Sequence, residues 1–414
     1  MKDWIKHTTI YEVNLRQYTP EGTMNAFAAH LPRLKEMGVE TLWLMPFTPI
    51  AQKNRKGSMG SYYACSDYTC VSEEFGTLED FKSLLQKAHT LGFKVIIDWV
   101  ANHTGWDHWW TIKHPDWYKK DEHTGDFKKA SGMDDIIELD YKNPALRKAM
   151  IDAMKFWIET GIDGFRCDLA FWVELGFWLE AKEELNKIKP LFWLGELDPL
   201  DNPEYMRVFD AAYTWKWMHK AEHYYKEQVS FGDLMKVLDH YQSAPGMKAW
   251  FTSNHDENSW NGTEYEKYGE LAMPLAVFSC TWPGVPLVYS GQELPNKKRL
   301  QFFEKNVIEW KERQELHGFY QKLLLLKRQH PALASDAALE IIAADEQQNV
   351  LVFKRESEGK AVLTLLNFSA DEKTIDTRES MQGKWTNVFT NETIDLSIKK
   401  EIGLQPWAFL VFAR

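Results

Sequence analysis

A chain of 414 residues is long for one ordinary core, but a β/α barrel of roughly 250–400 residues counts as one domain, so a barrel with small additions is expected. With 26 % charged and 44 % apolar residues, 23 Gly and 16 Pro, the composition excludes a disordered or low-complexity chain. The net charge of −11 argues against nucleic acid or an anionic membrane as partner, because phosphate binding relies on clustered Lys and Arg.

A neutral ligand fits this charge better. Aromatic residues reach 14 %, with 19 Trp, and a Trp face suits the C–H face of a sugar ring, although most of these rings are expected in the core. The four cysteines, Cys65, Cys70, Cys167 and Cys280, form no C-x-x-C pair and suggest neither a disulfide framework nor a zinc site. The start, Met1-Lys2-Asp3-Trp4, lacks the pattern of a signal peptide, and no window approaches 18 apolar residues, which reads as a cytoplasmic protein.

In chain order, short β-branched or aromatic runs alternate with helical patterns over the first 330 residues. The strands are expected at Thr9–Val13, Thr41–Met45, Lys94–Trp99, Gly164–Asp168, Phe192–Glu196, Phe209–Tyr213, Ala249–Asn254 and Val285–Tyr289. Eight parallel strands with crossover helices are the barrel number. Thr77 with Asp80 resembles a capping box before a helix over Phe81–Leu91, and Asn143-Pro144 supplies the N-cap and first position of a helix reaching Thr160. Gly92 and Gly161 end these helices, and a last barrel helix is expected near Arg313 to Gln329, before Pro331.

Residues 101–142 are too long a connection for a plain crossover and read as an insertion carrying Trp106, Trp109, Trp110 and Trp117 beside the active face. After about Leu333 the pattern changes to short strands and turns, with strands at Val350–Lys354, Ala361–Asn367, Trp385–Val388 and Trp407–Phe412. The expected fold is therefore α/β: a (β/α)₈ TIM barrel over 1–100 and 143–333, a small insertion over 101–142 after strand three, and a C-terminal antiparallel β-sandwich over 334–414.

Barrel enzymes carry their reactive groups at the C-terminal strand ends. Four ends are polar: Asp98 through Asn102-His103, Arg166-Cys167-Asp168, Gly195-Glu196, and Asn254-His255-Asp256. Side chains alternate along a strand, so Arg166 and Asp168 face one way, and Asn254 with Asp256 likewise; His255 reaches the same pocket only if its strand ends near it. Any one of these carboxylates alone reads as a cap or a surface ion pair. Together they point to chemistry, because gathering anions destabilises a fold.

These segments resemble the four signature motifs of the α-amylase family of glycoside hydrolases, in that family's order: DWVANH at Asp98–His103, GFRCD at Gly164–Asp168, Glu196 within Gly195-Glu196-Leu197, and FTSNHD at Phe251–Asp256. Tyr63 with Asp67-Tyr68, the Leu139–Pro144 stretch, and Gly284-Val285-Pro286 leading to Tyr289 and Gly291-Gln292-Glu293 also match. The resemblance implies Asp168 as nucleophile, Glu196 as general acid and base, and Asp256 as the stabilising carboxylate. It further implies that Arg166 holds Asp168, that His103 and His255 bind sugar hydroxyls, that Asp98 supports them and that Tyr63 stacks under the ring. Arg166 should favour ionised Asp168, while the anions Asp168 and Asp256 should raise the pKa of Glu196.

The match departs from the family at Phe171-Trp172, where many members carry Lys-His. Those rings read either as a platform for the next sugar or as packing on the fourth helix. Ala64 stands where Asp is frequent. No cofactor is required for the chemistry. Asn102 matches a calcium ligand, with Asp134, Asp135 and Asp140 as further oxygen donors, and a solvated acidic face is the competing reading.

The connection after strand eight, Leu294 to Gln301, reads as short, which favours an open cleft and endo cleavage. The expected activity is thus retaining hydrolysis of α-1,4-glucan or maltooligosaccharide. A glucanotransferase or α-glucosidase on the same site, and a non-catalytic glucan-binding barrel, are the alternatives.

Overall fold

The computed structural model describes residues 3–414. Eight parallel strands close into a barrel: β1 (Ile10–Val13), β2 (Thr41–Leu44), β3 (Lys94–Trp99), β4 (Gly164–Cys167), β5 (Phe192–Gly195), β6 (Ala211–Tyr213), β7 (Met247–Trp250) and β8 (Val285–Tyr289). Every residue of β1, β2, β4 and β5 is buried, as expected where helices cover a sheet on one side and strand side chains fill the barrel on the other.

Register decides what meets at the mouth. Asp98 stands opposite Arg166 and Trp99 opposite Cys167, and Cys167 stands opposite Gly195. The parallel pairing runs one residue further, with Asp168 N–H donating to the Trp99 carbonyl (3.0 Å) and Glu196 N–H to the Cys167 carbonyl (3.0 Å). Asp168 and Glu196 therefore leave neighbouring strand ends at the same height. Close approach at the base of β4 requires a glycine, since a Cβ on Gly164 would lie 2.0 Å from the Phe192 carbonyl oxygen.

The helices start where the capping chemistry places them. Thr77 and Asp80 form a reciprocal capping box on Leu78–Thr90, and Asn143 accepts from Ala145 N–H at the head of Pro144–Thr160, which ends on left-handed Gly161. The last barrel helix is His317–Gln329, shorter at its start than expected. The connection after β8 consequently spans residues 290–316, so the short loop inferred from sequence is replaced by a long one. Strand seven was expected at Ala249–Asn254; it occupies Met247–Trp250, and residues 255–261 wind into a helical turn instead.

Residues 101–142 fold around a small ribbon in which His103–Gly105 pairs antiparallel with Ile136–Glu138. Trp110 and Trp117 are buried and pack on each other, with His114 stacked on Trp117 at 3.9 Å. The two Trp rings extend the barrel's main core, and none of the insertion's four Trp lines the cavity at the barrel mouth.

Beyond the barrel, six antiparallel strands form one sheet, in the order Ala338–Asp345, Val350–Ser357, Lys360–Asn367, Phe409–Ala413, Lys384–Asn387, Thr393–Asp395, and a two-stranded sheet joins Lys373–Asp376 to Glu401–Leu404. The face carrying Leu351, Phe353, Val362 and Leu366 belongs to the barrel's core, while Val352, Leu363, Leu365 and Trp385 build a second, smaller one. Among the described residues no helix is long and apolar enough to cross a membrane.

Candidate active site

The centre of the site is one guanidinium. Arg166 is fully buried and projects inward from β4 to meet three carboxylates: Nη1 lies 2.9 Å from Asp98 Oδ1 and 3.1 Å from Asp168 Oδ1, and Nη2 lies 2.7 Å from Glu196 Oε2. Its Nε donates to the Tyr213 hydroxyl (3.3 Å). Left-handed Leu169 turns the chain so that its N–H donates to Glu196 Oε2 (2.8 Å). Backbone strain thus helps hold Glu196 beside Asp168.

Sharing the arginine has an electrostatic consequence that the motif alone does not show. Burial, followed by the charge of Glu196, pushes Asp168 well above the usual carboxylate range, against the expectation that Arg166 keeps it ionised in the free protein. A single positive charge is divided among three anions, and in a buried site the repulsion and the desolvation outweigh its share. Asp98, behind the arginine and not in the cavity, is likewise raised by burial and accepts from Trp43 Nε1 and the Tyr63 hydroxyl (both 3.1 Å).

His255 and Asp256 arrive from beyond β7. Because the strand ends at Trp250, the alternation argument fails there: Asn254 accepts the Glu257 N–H (2.8 Å) as a turn residue, while Asp256 lines the cavity and His255 adjoins it through Asp256 and Tyr63. His255 Nδ1 lies 2.5 Å from Glu12 Oε1, and Nε2 lies 3.2 Å from Asp256 Oδ2 and 2.8 Å from the Tyr63 hydroxyl. Burial opposes a charge on this imidazole, but Asp256 and Glu12 override it and hold its pKa well above the usual value. Burial is also outweighed at Asp256, which the imidazolium holds below the usual range.

His103 behaves in the opposite way. Burial lowers its pKa to about 4, so it is a neutral imidazole with Asn102 Nδ2 on its Nδ1 (3.2 Å) and a buried Nε2 left without a partner at the cavity wall. An unpartnered buried nitrogen in a pocket is suited to a ligand hydroxyl.

The cavity measures about 330 Å³ and is lined by Tyr63, His103, Asp168, Glu196 and Asp256, by Asp135, which was named from sequence only as a calcium donor, and by groups that the sequence reading missed: Lys56, Trp260, Phe302 and Phe303. Tyr63 stacks near His255 (5.4 Å, 18°) and Phe302 (6.2 Å, 21°). Trp260 packs on Phe302 (5.3 Å) and donates from Nε1 to Asp256 Oδ1 (3.2 Å). Glu12 was missed as well; its signal was an acid inside the wholly buried strand Ile10–Val13.

Phe171 and Trp172 do not reach the cavity. They lie in the short 3₁₀ turn Ala170–Trp172, where Phe171 packs against the core and against Trp172. The oxygen donors named for calcium do not converge either. Asp134 pairs with Lys129 and Asp135 with Lys56, Asp140 accepts the Lys142 N–H, and among the described residues no three His, Cys, Asp or Glu side chains are placed to share a metal.

Comparison with known proteins agrees with this geometry. Residues 6–129 and 114–316 match the family described as "Alpha amylase, catalytic domain", and residues 339–411 match "Maltogenic Amylase, C-terminal domain". The chain is 24 % identical to Alpha-amylase 3 of Dictyoglomus thermophilum over 99 % of its own length and 93 % of that protein. It is 24 % identical to a cyclomaltodextrinase of Geobacillus thermopakistaniensis over 99 % and 77 %. The crystal structure of a noncanonic maltogenic α-amylase from Thermotoga neapolitana superposes with a TM-score of 0.89 at 29 % identity, covering 99 % of each chain. A closed eight-stranded barrel with these motifs at its mouth and both family matches along its length place the chain in the α-amylase family of retaining glycoside hydrolases.

Proposed function

We infer that this protein cleaves α-1,4-glucosidic bonds of maltooligosaccharides or starch-type glucans by double displacement on Asp168. The observation that carries the reading is the grip of Arg166 on both Asp168 and Glu196. Two carboxyls on one guanidinium favour the close spacing of about 5–5.5 Å that a covalent, retaining mechanism uses. Relatives named cyclomaltodextrinase and maltogenic α-amylase support an α-glucan as the substrate class.

Arg166 takes Asp168 Oδ1 and leaves Oδ2 for the anomeric carbon. In the first step Asp168 forms a bond to that carbon while Glu196 gives its proton to the departing glycosidic oxygen. In the second, Glu196 takes a proton from water, which displaces Asp168. The first step needs the proton on Glu196 and Asp168 ionised. Asp256, kept ionised by His255, stabilises the positive charge that develops on the sugar. His103 and His255 contact sugar hydroxyls, Tyr63 lies under the ring, and Asp98 acts through Arg166 as a positioning residue. The barrel, the insertion over 101–142 and the sheets beyond 333 divide the labour as catalysis, cleft wall and support.

Asp168→Asn and Glu196→Gln are each expected to lower kcat on maltoheptaose by more than about 10³-fold with the fold retained. Near-normal turnover by either, with melting behaviour unchanged, would overturn the assignment. A transglycosylating enzyme would show the same losses, and added maltooligosaccharide acceptor separates it through products longer than the substrate.

A further inference from the structure

The cavity is walled unevenly. Lys56 from the connection after β2, Asp135 from the insertion after β3 and Phe303 from the connection after β8 close one end of it. From the connections after β4, β5 and β6, only Asp168, Leu169 and Glu196, directly at the strand ends, line it among the described residues.

The closed end is built as a unit. Lys56 Nζ lies 2.8 Å from Asp135 Oδ1 and 5.9 Å from the centre of the Phe303 ring. Behind it, Met59 N–H donates to the Phe303 carbonyl (3.0 Å) and Ser58 N–H to Glu304 Oε1 (2.9 Å), so the connections after β2 and β8 are pinned together. Asp135 is only 4 % exposed, and a carboxylate so buried requires a cation. An ammonium carries three donors. Lys56 makes an ion pair with Asp135, and with 34 % of its side chain exposed it presents its donors to the cavity it lines, where hydroxyls are the complementary acceptors.

This end has a defined place in the reaction, given the roles proposed above. Glu196 protonates the departing part of the glucan, which leaves over the open side. The sugar held by Asp168 therefore directs its non-reducing end at Lys56. A volume of about 330 Å³ sits near the bottom of the roughly 300–1,000 Å³ range of small-molecule sites, room for a short oligosaccharide piece. We propose that Lys56, seated on Asp135, stops the non-reducing end of the glucan, so that the protein trims short fragments from that end instead of cutting in the chain interior.

The test uses maltoheptaose carrying a 4-nitrophenyl group at its reducing end, so that unlabelled fragments report the length held on the Asp168 side. The full-length protein is expected to release glucose and maltose from the first turnovers. In the double variant Lys56→Ala/Asp135→Ala, the share of unlabelled fragments of three units or more should rise about tenfold, the lower range of what one steric contact contributes to discrimination. If that variant fails to fold, Asp135→Asn, which unseats Lys56 without opening a gap, is expected to shift the fragments in the same direction. Long unlabelled fragments from the unmodified protein at early times, or an unchanged size distribution in the folded variants, would overturn the proposal. A protein that cleaves no glucan at all would instead overturn the function on which it rests.

Discussion

Replacing Arg166 by Met tests the electrostatics of the site directly. The side chain is fully buried, and its loss leaves Asp98, Asp168 and Glu196 facing one another without their shared cation. Removing one partner of a buried ion pair destabilises a fold by about 3–5 kcal/mol, and that loss is expected here at neutral pH. The carboxyls escape it by binding protons. Their folded pKa values, already raised at Asp98 and Asp168, rise further, so the folded variant holds more protons than the unfolded chain. Its stability must then fall as pH rises, by about 1.4 kcal/mol per pH unit for each carboxyl still protonated only in the fold. Urea unfolding of both proteins at about pH 5 and about pH 7.5 reads the difference. The variant should regain a large part of its deficit at the lower pH. An equal deficit at both pH values would refute the reasoning, because loss of packing alone does not titrate.

Two further outcomes follow from groups with opposite shifts. Asp163 sits at the base of β4, where burial is outweighed by His89, the Val95 N–H, Lys189 and Lys94, which together lower its pKa to about 2. Because its folded value is depressed, it contributes about 2 kcal/mol that is present above pH ~4 and lost as pH falls toward ~2. Asp163→Asn should therefore weaken the protein at neutral pH and flatten the acid side of a thermal-melting profile; a variant as stable as the parent at pH ~7 would count against the assignment. In kinetics, the raised Asp168 should place the acid limb of kcat/KM, which reports the free enzyme, above pH ~4, and a limb at or below that value would show that Arg166 dominates after all.

Much of this architecture is legible in the chain because parallel strands buried on both faces leave runs such as Val95-Ile96-Ile97, and because capping residues such as Thr77 and Asn143 act locally. The polar strand ends are legible for the same reason: Asp168 and Glu196 follow directly on apolar runs. Glu12 is harder, since nothing near it in sequence announces His255 as its partner across 243 positions. Lys56, Trp260 and Phe302 lie in connections without periodicity, and only the closed barrel brings those segments to one rim. The error at β7 has a local cause. Phe251-Thr252-Ser253-Asn254 has strand-like residues, but Asn254 binds the Glu257 N–H and starts a turn, which carries Asp256 to the cavity by a route that alternation does not describe. The error after β8 arose from reading the helix as starting near Arg313, when residues up to Leu316 remain in turns and irregular loop.

The six-stranded sheet gives one of its faces to the barrel's interior, through Phe353, Val362 and Leu366 among others. Cutting the chain near residue 334 would therefore strip apolar cover from the barrel helices, and would also uncover the sheet, so neither fragment would inherit a finished interior. Heating should accordingly dismantle both together in one transition, and the catalytic mouth would share its melting point with strands that never approach a sugar.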